Sequence, residues 1–116
     1  MHLKLKTRTV DGVTIVDCEG RIVFGDESSD LRDKVRKLIE QNNRILLNLA
    51  DVSYIDSGGL GTLVALYTTA RNAGGAIKLV NLTQRVDDLL QVTKLLTVFE
   101  VFDNEIEAVA SFKAAA

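Results

Sequence analysis

The chain has 116 residues, 47% of them hydrophobic, with 14 basic and 16 acidic side chains and a net charge of −2. That is one domain of ordinary globular composition, and so balanced a charge offers no electrostatic case for direct nucleic-acid binding or for an anionic membrane surface. One cysteine excludes an internal disulfide framework, and with the one histidine, His2, it cannot complete a zinc site. A lone cysteine also makes a reducing, cytoplasmic setting the natural expectation. Residues 1–6 lack the apolar core of a signal peptide. The longest uncharged stretch, residues 57–70, is too short and too rich in glycine and threonine for a membrane span. No proline marks a linker and no repeat is visible, so residues 1–116 are expected to form a single domain.

Residues 3–10 have the mixed pattern of an outer strand, Asp11-Gly12 is a hairpin turn signal, and residues 13–19 return as a more apolar strand ended by Gly20. Residues 21–26 form a loop around Gly25. Ser28 and Ser29 are N-cap candidates for a helix in which Leu31, Val35, Leu38 and Ile39 share one face and charges fill the other. Residues 45–49 (Ile-Leu-Leu-Asn-Leu) have the near-continuous apolar character of a central strand covered on both faces. Leu60, Leu63, Val64, Tyr67 and Ala70 predict a second helix, stopped by Gly74-Gly75, and a short strand follows at 76–80. Val86, Leu89 and Leu90 mark a third helix, residues 98–101 a last strand, and Asp103 or Asn104 the cap of a final helix using Ile106, Val109, Ala110 and Phe112. The Ala114-Ala115-Ala116 tail has the character of a frayed end or a cloning scar. The order β-β-α-β-α-β-α-β-α predicts an α/β fold with a mostly parallel mixed sheet and helices chiefly on one face.

Between the central strand and the second helix lies Tyr54-Ile55-Asp56-Ser57-Gly58-Gly59-Leu60-Gly61. A helix N-terminus has unpaired N–H groups and a positive local field, so Ser57 stands where an anion is well held. Four roles are open to it: cap, nucleophile, nucleotide cradle or phosphorylation acceptor. A P-loop needs Gly-x-x-x-x-Gly-Lys-Ser/Thr, but Gly61 is followed by Thr62 and Leu63, and no lysine occurs between Arg44 and Lys78. The spacing also fails the dinucleotide fingerprint. A nucleophile elbow needs glycine two residues before the serine and a base beside it; Ile55 stands there instead, and His2 is at the terminus. Capping by Asp56 or Ser57, with glycines easing the turn, remains the plain structural reading.

The run Asp56-Ser57-Gly58-Gly59-Leu60-Gly61, after residues 45–49 and Val52-Ser53-Tyr54-Ile55, resembles the STAS-domain family, and within it the bacterial anti-sigma factor antagonists. The likeness extends over essentially the whole chain: the hairpin closed by Gly20, the first two-faced helix, the Gly74-Gly75 stop, the strand Ile77-Lys78-Leu79-Val80-Asn81, and Val86, Leu89 and Leu90. The resemblance implies a non-catalytic regulator without a cofactor, in which Ser57 is phosphorylated by a partner that is both anti-sigma factor and serine kinase. The unphosphorylated form binds that partner and frees a sigma factor; a serine phosphatase restores it. Several family members carry Ser or Thr after the acceptor, where this chain has Gly58. Asp26 resembles part of the family loop beside the acceptor. Two other readings stay open: a STAS subunit of another assembly, such as a stress-signalling scaffold or a lipid-transport accessory, or a small nucleotide-binding module.

In the second helix Thr62, Ala65, Leu66 and Thr69 lie off the Leu60/Leu63/Val64/Tyr67 stripe and are uncharged, which suits a docking face. The expected partner-binding set is therefore Asp26, Asp56, Ser57, Gly58, Gly59, Thr62, Ala65, Leu66 and Thr69. Cys18 reads as a buried small hydrophobe, Asp87 and Asp88 as solvated, and Tyr54 and Tyr67 as packing residues.

Overall fold

The computed structural model describes residues 3–113; His2 and the Ala114-Ala115-Ala116 tail lie outside them. Strands β1 (Lys4–Val10) and β2 (Val13–Ile22) pair antiparallel through the Asp11-Gly12 turn, where both residues take positive φ (49° and 80°). That geometry matches the twist of the flanking strands and favours Asp-Gly. β3 (Arg44–Ile55), β4 (Ala76–Val80) and β5 (Val101–Phe102) follow in parallel, so the sheet order is β1-β2-β3-β4-β5. Helices α1 (Asp26–Gln41), α2 (Ser57–Asn72), α3 (Gln84–Val92) and α4 (Glu105–Lys113) complete the chain, with a 3-10 turn at Leu95–Thr97. Among the described residues no helix is long and apolar enough to cross a membrane.

β3 explains the two-sided core. Side chains alternate across a strand, so Ile45, Leu47 and Leu49 meet Leu31 and Val35 of α1, Leu63 and Leu66 of α2, and Val86 and Leu90 of α3 in one cluster. Leu46 points the other way and joins Val13, Ile15 and Val80 beneath Ala108, Val109 and Phe112 of α4. Three helices thus cover one face and one covers the other, as the element order predicts. Cys18 is buried, and burial raises its thiol pKa to about 12.

Five local expectations give way. β2 does not end at Gly20: it passes through that residue (φ 125°) with a register shift against β3 and runs on to the buried Ile22, which shortens the expected 21–26 loop. β3 runs on to Ile55, because Val52 and Ile55 keep filling the core and the ladder with β2 continues to Ile22. α1 starts earlier than its serines suggest: Gly25 occupies the N-cap position at φ 108°. Ser28 instead lies inside the first turn, its hydroxyl donating to the Val23 carbonyl at 2.6 Å. The strand expected at 98–101 is reduced to Val101 and Phe102, which alone pair with β4: the chain turns after Lys94, which takes positive φ, into a 3-10 turn at Leu95–Thr97, and Phe99 is plugged into the main core. In α4 the buried side is Ala108, Val109 and Phe112, while Ile106 is 80% exposed. Asn104 caps it, accepting from the Glu107 amide at 3.1 Å.

Candidate functional site

The site forms where β2 and β3 end together at the head of α2. Asp56 is extended (φ −95°, ψ −177°), and its Oδ1 accepts from the Gly59 amide at 2.8 Å, so Asp56 and not Ser57 is the cap. The same carboxylate accepts the Phe24 amide through both oxygens, at 3.1 and 3.0 Å. One side chain therefore starts α2 and ties the β2–α1 loop to it. The Gly59 amide, then the Phe24 amide, hold the Asp56 carboxyl below the usual carboxylate range.

Two glycines allow this closeness. A Cβ on Gly59 would lie 2.0 Å from the Ile22 carbonyl oxygen, and one on Gly58 would lie 2.7 Å from Phe24 Cβ. The close approach of Phe24, through its Cβ and its Cα, thus accounts for glycine directly after the serine in this chain. Phe24 itself is 82% exposed.

Ser57 is the first residue of α2, is exposed, and its hydroxyl has no hydrogen-bond partner among the described residues. The first turn of α2 holds no acidic residue. Beside it a groove of about 380 Å³ runs between α1 and α2, lined by Phe24, Ser28, Ser29, Arg32, Thr62 and Ala65 together with three glycines.

The structure brings Asp56, Ser57, Gly58 and Gly59 together, sets Asp26 exposed at the start of α1, and places Thr62 and Ala65 on the groove wall. Thr69 lies half-buried farther along α2, where it borders a second hollow with the end of α1. Leu66 does not belong to this surface. It is 1% exposed, because α2 packs against α1 as well as against the sheet, which buries a second stripe of the helix. Thr62 is partly drawn into that stripe at 8% exposure, and the open uncharged face is instead Gly61, Ala65 and Thr68. Phe24 and Arg32 escaped sequence reasoning. A phenylalanine in the Val23-Phe24-Gly25 loop was a usable signal; Arg32 looked like any charge on a solvated helix face.

The carboxylates of this fold set its acid response. Asp17 and Glu105 are also held below the ordinary range, each first by its hydrogen bonds with Arg8. A depressed folded pKa stabilises above the unfolded value, about 4, and that stability disappears as pH falls through the lower folded value. The urea midpoint is therefore expected to fall on acidification below about pH 4. Asp56→Ala should cost about 2 kcal/mol at neutral pH, from the lost cap and the unpaired Phe24 amide, and should flatten the acid limb. A midpoint that rises on acidification, or an Asp56→Ala curve parallel to wild type, would refute the assignment.

A profile of the STAS domain matches residues 4–108. The anti-sigma-B factor antagonist of Bacillus subtilis is 38% identical over 71 residues, covering 61% of this chain and 65% of that protein. The anti-sigma F factor antagonist of Paenibacillus polymyxa is 27% identical over 116 residues and covers 97% of both. The crystal structure of a putative anti-sigma factor antagonist from Thermotoga maritima superposes with a TM-score of 0.86 at 26% identity, over 94% of each chain. With the profile spanning nearly all of the sheet and helices just described, the chain belongs to the STAS-domain family.

Proposed function

We propose that the chain is an anti-sigma factor antagonist. It binds an anti-sigma factor with serine kinase activity, releases the sigma factor that partner holds, and is switched off by phosphorylation of Ser57. A serine phosphatase acting on phospho-Ser57 reverses the switch, and the cycle runs in the cytoplasm. The chain works by binding and catalyses nothing.

The observation that carries this reading is a division of labour. Asp56 does the capping and ties the loop, so the neighbouring Ser57 hydroxyl is exposed at the first position of α2 and, among the described residues, unpartnered. A residue that only built the fold would be engaged in it. Phosphate there meets the unpaired N–H groups and positive end of the helix, so the fold can carry it. The partner surface is Asp26, Asp56, Ser57 and Gly58 with Ala65 and the open Gly61 and Thr68 beside it, Phe24 in their midst, and Thr69 farther along α2; Gly59 and Thr62 support it from beneath. That the Bacillus and Paenibacillus relatives are anti-sigma factor antagonists supports the same role.

The test is transfer of phosphate from ATP by a candidate anti-sigma serine kinase of the same organism, located by mass spectrometry. One phosphate on Ser57, absent from Ser57→Ala, is expected. Phosphate elsewhere, or tight retention of ATP by the chain alone without transfer, would overturn the reading, the latter in favour of a nucleotide module.

A further inference from the structure

Lys78 is the anomaly of the second core. Its neighbours Ile77 and Leu79 face α1–α3, so strand alternation turns it toward α4, beside Val80. It is 5% exposed there, at a position where an apolar side chain would pack without any desolvation cost. Its ammonium donates to Ser111 Oγ at 2.9 Å and pairs with Glu100 at 2.9 Å. It lies 4.6 Å from the Phe112 ring centre and 5.9 Å from that of Phe102. Ser111 gives its own proton to the Ala108 carbonyl at 2.7 Å, so its oxygen is committed to accepting from the lysine.

These groups line an open cleft of about 720 Å³, to which Arg44, Asn43 and the Gly74-Gly75 turn also contribute. None of the ion pairs among the described residues engages Arg44. The cover over Lys78 is lopsided: its side chain is 7% exposed, whereas that of Glu100 is 64% exposed. Glu100 therefore reaches the ammonium from the solvent side and is the member of the pair able to turn away, provided that another anion takes its place on the buried lysine. With Glu100 turned aside, Lys78 would face the cleft between two aromatic rings, with Arg44 on the same lining.

We propose that this cleft binds a small aromatic carboxylate. The ligand's carboxylate replaces that of Glu100 on Lys78, with Arg44 adding charge, and its ring packs against Phe102 and Phe112. The site lies on the opposite face of the sheet from Ser57, so it stands or falls independently of the phosphorylation switch.

The probe is naphthoate, titrated into the isotope-labelled full chain and followed by amide chemical shifts, with neutral naphthamide as control. Saturable shifts are expected in β4, β5, the 74–75 turn and the end of α4, with naphthamide at least about tenfold weaker because it lacks the charge-assisted bonds. Glu100→Gln removes the internal competitor and should tighten naphthoate about twofold to fivefold. Lys78→Met and Arg44→Gln should each weaken it. Should Lys78→Met fail to fold, the Glu100→Gln and naphthamide comparisons decide the matter alone, since Glu100 is a surface residue. Absence of saturable shifts at millimolar probe, shifts centred on the Ser57 groove, equal binding of naphthamide, or a Glu100→Gln chain that binds no tighter would each overturn the proposal.

Discussion

Stoichiometric phosphate on Ser57 is expected to weaken affinity for the anti-sigma partner by more than about a hundredfold while leaving helical content unchanged. The fold should be indifferent, because Ser57 is exposed, takes no part in capping, and starts a helix whose first turn has no acidic side chain. The interface should not be. Phosphate adds about −1.5 to −2 charge, next to the Asp56 carboxylate and the exposed Phe24 ring. A loss of only about 3 kcal/mol at a docked surface exceeds a hundredfold in affinity. Ser57→Asp carries less charge and fewer acceptor oxygens, and a loss nearer tenfold is expected of it. Calorimetric titration of partner into each form, beside circular dichroism, reads both quantities. Unchanged affinity would refute the switch. Lost helicity would shift the effect from the interface to the fold.

Gly59→Ala should destabilise the chain by about 2–3 kcal/mol, even though alanine is the better helix former. The added Cβ would meet the Ile22 carbonyl oxygen at 2.0 Å, Ile22 C at 2.8 Å and Ile55 Cγ2 at 2.9 Å, so either the end of β2 or the head of α2 must move. Two residues on, a Cβ at Gly61 has nothing within 4 Å. Gly61→Ala should therefore stabilise by about 0.5–1 kcal/mol through helix propensity alone. Urea unfolding of the pair separates close approach from propensity: two stabilised variants would mean that the strand and helix are not packed this tightly. Because Asp56 spans the same junction, Gly59→Ala should also disturb the Phe24 loop, whereas Gly61→Ala should leave it in place.

What the residues revealed early, and what they concealed, follows the range of the forces involved. The Asp11-Gly12 hairpin was legible because a two-residue turn depends on its own φ values. The central strand was legible because burial on both faces demands a continuous apolar run. The start of α1 was not: serines are good caps in isolation, but Ser28 was recruited by the Val23 carbonyl, and Gly25 took the turn. Leu66 was misplaced because a helical wheel shows one apolar stripe and cannot show that α1 covers a second. Ile106 was misplaced for the converse reason: α4 turns Ala108, Val109 and Phe112 to the sheet and leaves the isoleucine outside.

The element order, the family resemblance and the serine at a helix start were all legible along the chain, since they rest on short-range pattern: strand and helix periodicity, turn chemistry and an uninterrupted motif. It took the packed fold to show which side chain caps α2, what crowds Gly58 and Gly59, that Leu66 is core, and that Lys78 is buried among Glu100, Ser111, Phe102 and Phe112. Those are meetings of residues far apart along the chain. They depend on how sheet and helices close on one another, and no local propensity encodes that closure.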